Sequence, residues 1–259
     1  MPERSGEAIG PDPPHRVTRP MLFQSWNVST WLHWPFDPRV LARTVPAGLE
    51  LDTFEGRAWV GLVAFVIENQ RPAGMPRIPG LSRAQETHLR TYVTAPDGRS
   101  GSYFIYLEND LLPAVLAGRA GFFLRYAWDR MQLARRDGSV EYRGRRVVPP
   151  RTAHDLRVEV GQPYRAEELS SLDHFVTAQW ILFTKYGPRL AAVPVEHPPW
   201  PLWRARVTHL EEALFRAAGL PPPAGDPLVH FSPGVDSRIG FPELVRGRPA
   251  GRRPARGRR

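Results

Sequence analysis

Apolar positions along the chain come in short stretches separated by Pro and Gly, and their spacing predicts strands more often than helices. Leu22–Trp34 is rich in aromatic and β-preferring residues and reads as a strand. Asp37 followed by Pro38 supplies an N-cap and an N1 proline, predicting a short helix through about Val45. Trp59–Ile67 is a nearly continuous apolar run without helix caps, which predicts a buried strand. Thr87–Thr94 and Ser102–Leu107 form a strand pair joined by the turn Pro96-Asp97-Gly98. Leu111–Phe122 is patterned as a helix, weakened near its end by Gly118 and Gly121. Arg130–Ala134 and Val140–Tyr142 flank Asp137-Gly138, a two-residue hairpin signal, and Leu156–Val160 adds another strand. Ser170-x-x-Asp173 resembles a capping box ahead of Leu172, Phe175 and Val176, predicting a helix to about Tyr186. Leu202–Val207 reads as a strand and Glu211–Ala218 as a helix closed by Gly219. Hairpins separated by a few helices predict an α+β fold, an antiparallel barrel or sheet with helices on its outside.

Composition narrows the class. The 42% hydrophobic content, with eight Trp, suffices for a packed core, and 29 Pro argue for turns rather than a helix bundle. No apolar run is long enough to span a bilayer, and Met1–Pro20 has no apolar signal core, so a cytoplasmic location without membrane contact is expected. The absence of Cys excludes a disulfide framework, thiol catalysis and a cysteine zinc site. Met1–Pro20, with five Pro, reads as a disordered leader; residues 21–245 read as one domain without repeats or linkers. The net charge of +9 is concentrated at the end: Arg246–Arg259 carries seven Arg and no acid, leaving about +2 on residues 1–245. Such a tail is either a solvated end or a weak phosphate-binding segment, and the latter is the one route to nucleic acid the sequence offers.

Chemistry-bearing motifs are sparse. There is no G-x-G-x-x-G, phosphate-binding loop, G-x-S-x-G or H-E-x-x-H, and the eight His show no i, i+4 pair, so neither a cofactor nor a metal is expected. Glu86, His88, Arg90 and Tyr92 are spaced by two and share one face of a strand. If that face lines a cavity, a carboxylate, an imidazole and a guanidinium can bind and protonate a small organic acid or carbonyl compound. Otherwise the face is solvated, or Glu86 and Arg90 form a buried pair that holds the strand. The segment His197-Pro-Pro-Trp-Pro-Leu is rigid, and either fixes His197 and Trp200 at a cavity mouth or plugs the core with Trp200 and Trp203. His230 and Ser232, ahead of Pro233-Gly234, carry the same ambiguity, with Pro-Gly read as a turn.

An ordered set of segments resembles the YqjF-like family, also called domain of unknown function 2071. The segments are Leu32-His33-Trp34-Pro35 with Asp37-Pro38, Val45–Phe54, Gly56–Val63, Glu86-x-x-x-Arg90-Thr91-Tyr92-Val93, His197–Leu202 and Phe231–Asp236. The family's pattern often carries Asn where this chain has His88. The family in turn resembles acetoacetate decarboxylase, which implies a cone-shaped antiparallel β-barrel with an internal cavity and several peripheral helices. The remote likeness places Glu86 at an active-site carboxylate. It also aligns Ala117–Tyr126 with the segment that ends in the decarboxylase's imine-forming lysine, where this chain has Arg125-Tyr126. Arginine stays protonated and forms no imine. Lys185, the only lysine, lies outside that segment on the helix expected to reach Tyr186. The resemblance therefore implies acid–base chemistry without a covalent imine, with Glu86 as acid or base, Arg90 and Arg125 as anion clamp and Tyr126 as donor. The alternative is that Arg125 faces solvent and Tyr126 only packs. A sensor with the same pocket and no turnover fits the sequence equally, and the oligomeric state is not encoded legibly.

Overall fold

The computed structural model describes residues 10–246, which follow one another as thirteen strands and four short helices. The order is β1 (Pro20–Phe36), α1 (Pro38–Leu41), β2 (Glu50–Leu51), β3 (Ala58–Pro72), β4 (Ala84–Thr94) and β5 (Ser100–Asn109). Then come α2 (Leu112–Gly121), β6 (Tyr126–Arg136), β7 (Ser139–Arg146), β8 (Ala153–Pro163), α3 (Ser171–Thr177) and β9 (Ile181–Tyr186). The series ends with β10 (Arg189–Glu196), β11 (Trp203–Glu212), α4 (Leu214–Ala217), β12 (Leu228–Gly240) and β13 (Glu243–Leu244). The longest helix, α2, has 10 residues, so the helical share is smaller than expected. No helix among the described residues is long and apolar enough to cross a membrane. Residues 1–9 of the leader and 247–259 of the basic tail lie outside the described residues; in the described part of the leader Val17 is buried and its N–H donates to Glu196 Oε2 at 2.6 Å.

The strands form a ring. From β5 the neighbours run β6, β7, β8, β11, β12, β1, β3 and β4, and β4 pairs back onto β5. A second path, β9 and β10, links β5 to β12. Pairing is antiparallel except at β5, which is parallel to both β6 and β9, correcting the expectation of a purely antiparallel ring. At β6 the reason is local: α2 folds the chain back so that Tyr126 starts β6 beside Leu107, near the end of β5, and parallel neighbours need such a crossover.

The apolar run in β3 lacks alternation because both of its faces are buried. Leu62, Ala64 and Val66 join the main core with Leu32, Trp34 and Leu89, while Val63, Phe65 and Ile67 pack with Trp31 and Leu202 on the other side. Asp137 and Gly138 both take positive φ, 42° and 78°, as a two-residue hairpin turn between β6 and β7 requires.

Three sequence expectations are corrected. The capping box at Ser170 and Asp173 is present, but the helix stops at Thr177 and Ile181–Tyr186 is strand β9, paired with β10. Strand pairing overrides helical continuation there, and Lys185 is an exposed strand residue. Similarly, β11 runs to Glu212, whose carboxylate accepts from the N–H groups of Leu214 and Phe215, so α4 is only four residues long. Pro233-Gly234 is no turn: it lies inside β12, opposite Asn27, with Gly234 at φ 143° and no room for a Cβ against the β1 backbone.

Candidate functional site

Between β1, β3, β4 and β5 and the β9–β10 path, against α2, lies a cavity of about 520 Å³. Its walls are mainly aromatic and aliphatic, with Trp26, Trp31, Phe65, Phe104 and Trp200 among them. Strand β4 supplies the polar strip. Glu86, His88 and Arg90 all line the cavity, and all are buried, Glu86 at 4% and Arg90 at 9% exposure. Alternation on one strand thus places three of the four spaced-by-two residues in one wall. The fourth, Tyr92, is buried next along β4, outside the lining, with its hydroxyl 3.4 Å from Arg90 Nε.

Two irregularities keep the wall continuous. Between Leu89 and Arg90 the β4–β5 register shifts, with Ile105 as the extra residue, so that Phe104 and Asn109 both face the cavity although five residues apart. In β1 the register shifts between Asn27 and Thr30, with Val28 at φ 49°, and Trp26 and Trp31 share the cavity side for the same reason.

Glu86 is held by three donors. The Tyr126 hydroxyl donates to Oε2 at 2.6 Å, Asn109 Nδ2 reaches the same oxygen at 3.3 Å, and His88 Nδ1 lies 3.2 Å from Oε1. Burial, then the adjacent Glu86 charge, pushes the Tyr126 phenol well above its ordinary range, so it stays a donor. Tyr126 is positioned by its neighbours: Arg119 on α2 donates to its carbonyl, and its ring covers Gly118, where an added Cβ would lie 2.5 Å from the ring.

His88 stacks on Phe104 with centroids 4.2 Å apart and meets Phe65 edge-on. Its pKa is lowered by burial, which outweighs the opposing pull of Glu86, so the ring is neutral. With Nδ1–H assigned to Glu86, its lone pair sits on Nε2, which is buried and has no hydrogen-bond partner among the described residues.

Arg90 is the buried cation of the wall; Arg71, half-buried, also lines the cavity. Nη2 donates to the Val176 carbonyl at 2.7 Å and Nε reaches Tyr92 Oη at 3.4 Å, but it makes no ion pair among the described residues. The Tyr92 hydroxyl donates to Val176 O at 2.7 Å and lies 2.7 Å from His33 Nε2. Burial chiefly, and Arg90's charge secondarily, lower His33 well below its usual pKa and hold His197 at about 4.

The remaining sequence candidates divide. His197 and Trp200 line the cavity and are also packed: His197 lies between Trp180 and Trp200, at 4.4 and 4.9 Å, and Trp200 meets Trp31 edge-on at 4.7 Å. His230 is fully buried outside the lining and contacts Asp173 Oδ1 at 2.8 Å. Partial burial would raise Asp173, but bonds from His230 and Ser170 outweigh it and hold the carboxyl at about 2. Arg125 is exposed and is not part of the cavity wall. Sequence reasoning missed Asn109, Gly118, Arg119, Trp26 and Trp31. The cavity does not gather three metal-ligating side chains; the one such cluster among the described residues is Glu108, Asp129 and His154, elsewhere in the sheet.

The chain is 35% identical over 217 residues to the uncharacterized protein YqjF of Bacillus subtilis (strain 168), covering 83% of this chain and 89% of that protein. Similar solved structures include acetoacetate decarboxylase from Legionella pneumophila, with TM-score 0.63, 14% identity and 90% of each chain covered. An acetoacetate decarboxylase-like enzyme from Sphingomonas wittichii RW1 gives 0.60 at 17% identity, covering 90% of this chain and 96% of that one. The enduracididine biosynthesis enzyme MppR, complexed with pyruvate, gives 0.59 at 15% identity, covering 89% and 93%. These structural likenesses establish an acetoacetate decarboxylase-like fold. The sequence model of the DUF2071 family, described as an uncharacterized conserved protein, matches residues 23–236, and the chain belongs to that family.

Proposed function

We propose that the cavity binds a small organic acid carrying a carbonyl or hydroxyl group, and that the protein carries out non-covalent acid–base chemistry on it. The observation that carries this reading is Arg90, a buried guanidinium in the cavity wall with no carboxylate partner among the described residues. A buried charge is costly unless it is paired, and a ligand carboxylate is the group its geometry accepts. The volume of about 520 Å³ falls within the range of small-molecule sites, roughly 300–1,000 Å³. Pyruvate, the acid bound by the structural neighbour MppR, is a ligand of this class.

In this reading Arg90 docks the carboxylate and the Trp26–Trp31–Trp200 side covers the apolar part. Glu86 takes or gives a proton at the carbon or oxygen next to the carbonyl. The unpartnered Nε2 of His88 accepts a hydrogen bond from a hydroxyl or enol. Tyr126 keeps Glu86 oriented. Imine chemistry is disfavoured because the single lysine, Lys185, is exposed on β9 and outside the cavity lining.

A second reading, binding without turnover, draws on one feature. Glu86 already has three donors around it, an arrangement that also suits a carboxylate fixed in place as a recognition group.

The test is a thermal-shift screen of 2-oxo, 3-oxo and hydroxy acids on wild type, Arg90→Met and Glu86→Gln. A ligand at 100 times its Kd adds about 2.7 kcal/mol of stability. Stabilisation of wild type that disappears in Arg90→Met supports the site. Deuterium uptake into the bound acid in D2O, abolished by Glu86→Gln, supports catalysis over plain binding. If no acid stabilises wild type, or if Arg90→Met responds as wild type does, the proposal fails.

A further inference from the structure

Strands β4, β5 and β6 present a second cluster on the face opposite the cavity. Side chains alternate along a strand, so next to Glu86 stands Thr87, next to Asn109 stands Glu108, and three residues beyond Tyr126 stands Asp129. His154 of β8 completes the group through Thr87, with Nε2 3.2 Å from Oγ1. One ligand atom from each of Glu108, Asp129 and His154 lies within 4.8 Å of the other two. All three residues are at least nine-tenths buried.

The hydrogen-bond pattern leaves the inward-pointing atoms over. Glu108 Oε1 accepts from Tyr106 Oη and Thr152 Oγ1, both at 2.7 Å, and Asp129 Oδ1 accepts from the Arg145 N–H at 2.5 Å. Glu108 Oε2, Asp129 Oδ2 and His154 Nδ1 have no hydrogen-bond partner among the described residues. Arg146 donates to Tyr106 Oη at 3.1 Å and makes no ion pair with either carboxylate. If His154 Nε2–H donates to Thr87, the Nδ1 lone pair faces Glu108 Oε2 at 3.7 Å, so acceptor meets acceptor. Gly144 makes this placement possible, since any Cβ there would overlap the His154 ring.

Without an ion, burial and the neighbouring Glu108 push the Asp129 carboxyl up to about 8, so the two carboxyls share a proton. Once an ion displaces it, three acceptors converge, two of them carboxylates, with their other atoms anchored by outer partners. We propose that Glu108 Oε2, Asp129 Oδ2 and His154 Nδ1 bind one divalent first-row transition-metal ion, such as Zn2+ or Mn2+. One imidazole and two carboxylates suit such ions better than the all-oxygen shells of Ca2+ or Mg2+. Metal–ligand distances of about 2.0–2.2 Å place ligand atoms roughly 3.4 Å apart in a tetrahedron. The 3.7 Å between His154 and Glu108 is close to that edge, and separations within 4.8 Å require Asp129 to close by at most roughly 1.4 Å. The ion would tie β5, β6 and β8 together directly behind Glu86. This proposal is independent of what the cavity binds.

The experiment uses the full chain, stripped with chelator and reloaded with one equivalent of Zn2+ or Mn2+. Metal content, melting temperature and anomalous diffraction at the metal edge are then measured. The expected result is one ion per chain, a raised Tm, and an anomalous peak about 2.0–2.3 Å from the three named atoms. In Asp129→Asn, which keeps the size and Oδ1, affinity falls by more than the ~10- to 100-fold typical for loss of an outer partner. If Asp129→Asn does not fold, the wild-type anomalous map decides alone. A chain that retains no ion, or a peak at Glu86–His88 or a surface histidine instead, overturns the proposal. So does wild-type affinity in a folded Asp129→Asn.

Discussion

Replacing Arg90 with Met separates a residue kept for binding from one kept for stability. Nη2 loses a 2.7 Å charge-assisted bond to Val176 O, worth about 1.5–3 kcal/mol. The Nε contact to Tyr92, at 3.4 Å, is too long to add much. No partner is stranded: Val176 O still accepts from the Tyr92 hydroxyl, and Tyr92 Oη still meets His33 Nε2, each at 2.7 Å. Against this loss stands removal of an unpaired buried charge, whose desolvation is on the order of several kcal/mol, while Met fills similar space. Without ligand the two roughly cancel, so Arg90→Met should unfold in urea within about 1 kcal/mol of wild type, or later. In Tm that is a difference of at most ~2–4 °C for a domain of this size. Tryptophan fluorescence follows the transition, and histidine NMR gives a second readout. The pKa values of His33, His88 and His197 should all rise, because Arg90's charge helps depress each. A loss above ~3 kcal/mol, more than the broken bond is worth, would mean that Arg90 is structural and would remove the argument for an anionic ligand.

Further outcomes follow from the same geometry. Tyr126→Phe removes the 2.6 Å bond to Glu86 and should cost about 1.5–3 kcal/mol in urea unfolding; an unchanged midpoint would mean that the bond does not form. His197, at about 4 folded against about 6.5 for an unperturbed imidazole, takes a proton more readily when unfolded, so its contribution is intact above pH 6.5 and lost as pH falls toward 4. By pH 5 that loss is about 2 kcal/mol relative to neutral pH, and His197→Phe should be spared it; parallel stability–pH curves for the two proteins would refute the assignment. Gly118→Ala should destabilise by about 1–3 kcal/mol and displace Tyr126, whereas Gly121→Ala, with open space around it, should gain about 0.5–1 kcal/mol; equal melting temperatures for the pair would contradict the packing described.

Legibility from sequence followed the range of the interactions. The spacing of Glu86, His88 and Arg90 was readable because alternation on one strand is a local property. Asn109 was not, since its facing depends on the bulge at Ile105, and nothing in Ser102–Leu107 announces an extra residue. Trp26 and Trp31 escaped for the same reason through the irregularity at Val28. Tyr126 came to notice through family resemblance alone, and Arg125, its neighbour in that motif, is turned outward. The helix expected over 170–186 failed because the capping box reports only on its own first turn. The strand after it is decided by β10 and β5, contacts that no local pattern encodes.

Because Glu86 and Thr87 are consecutive, as are Glu108 and Asn109, two polar sites share one sheet with a single peptide link between them on each of β4 and β5. A one-residue deletion ahead of Glu86 in β4 would swap that strand's contribution to the two, presenting the hydroxyl to the cavity and the carboxylate to the opposite face. Insertions and deletions tolerated in the hairpin loops should therefore disrupt both sites in this stretch, even where every individual side chain can be exchanged.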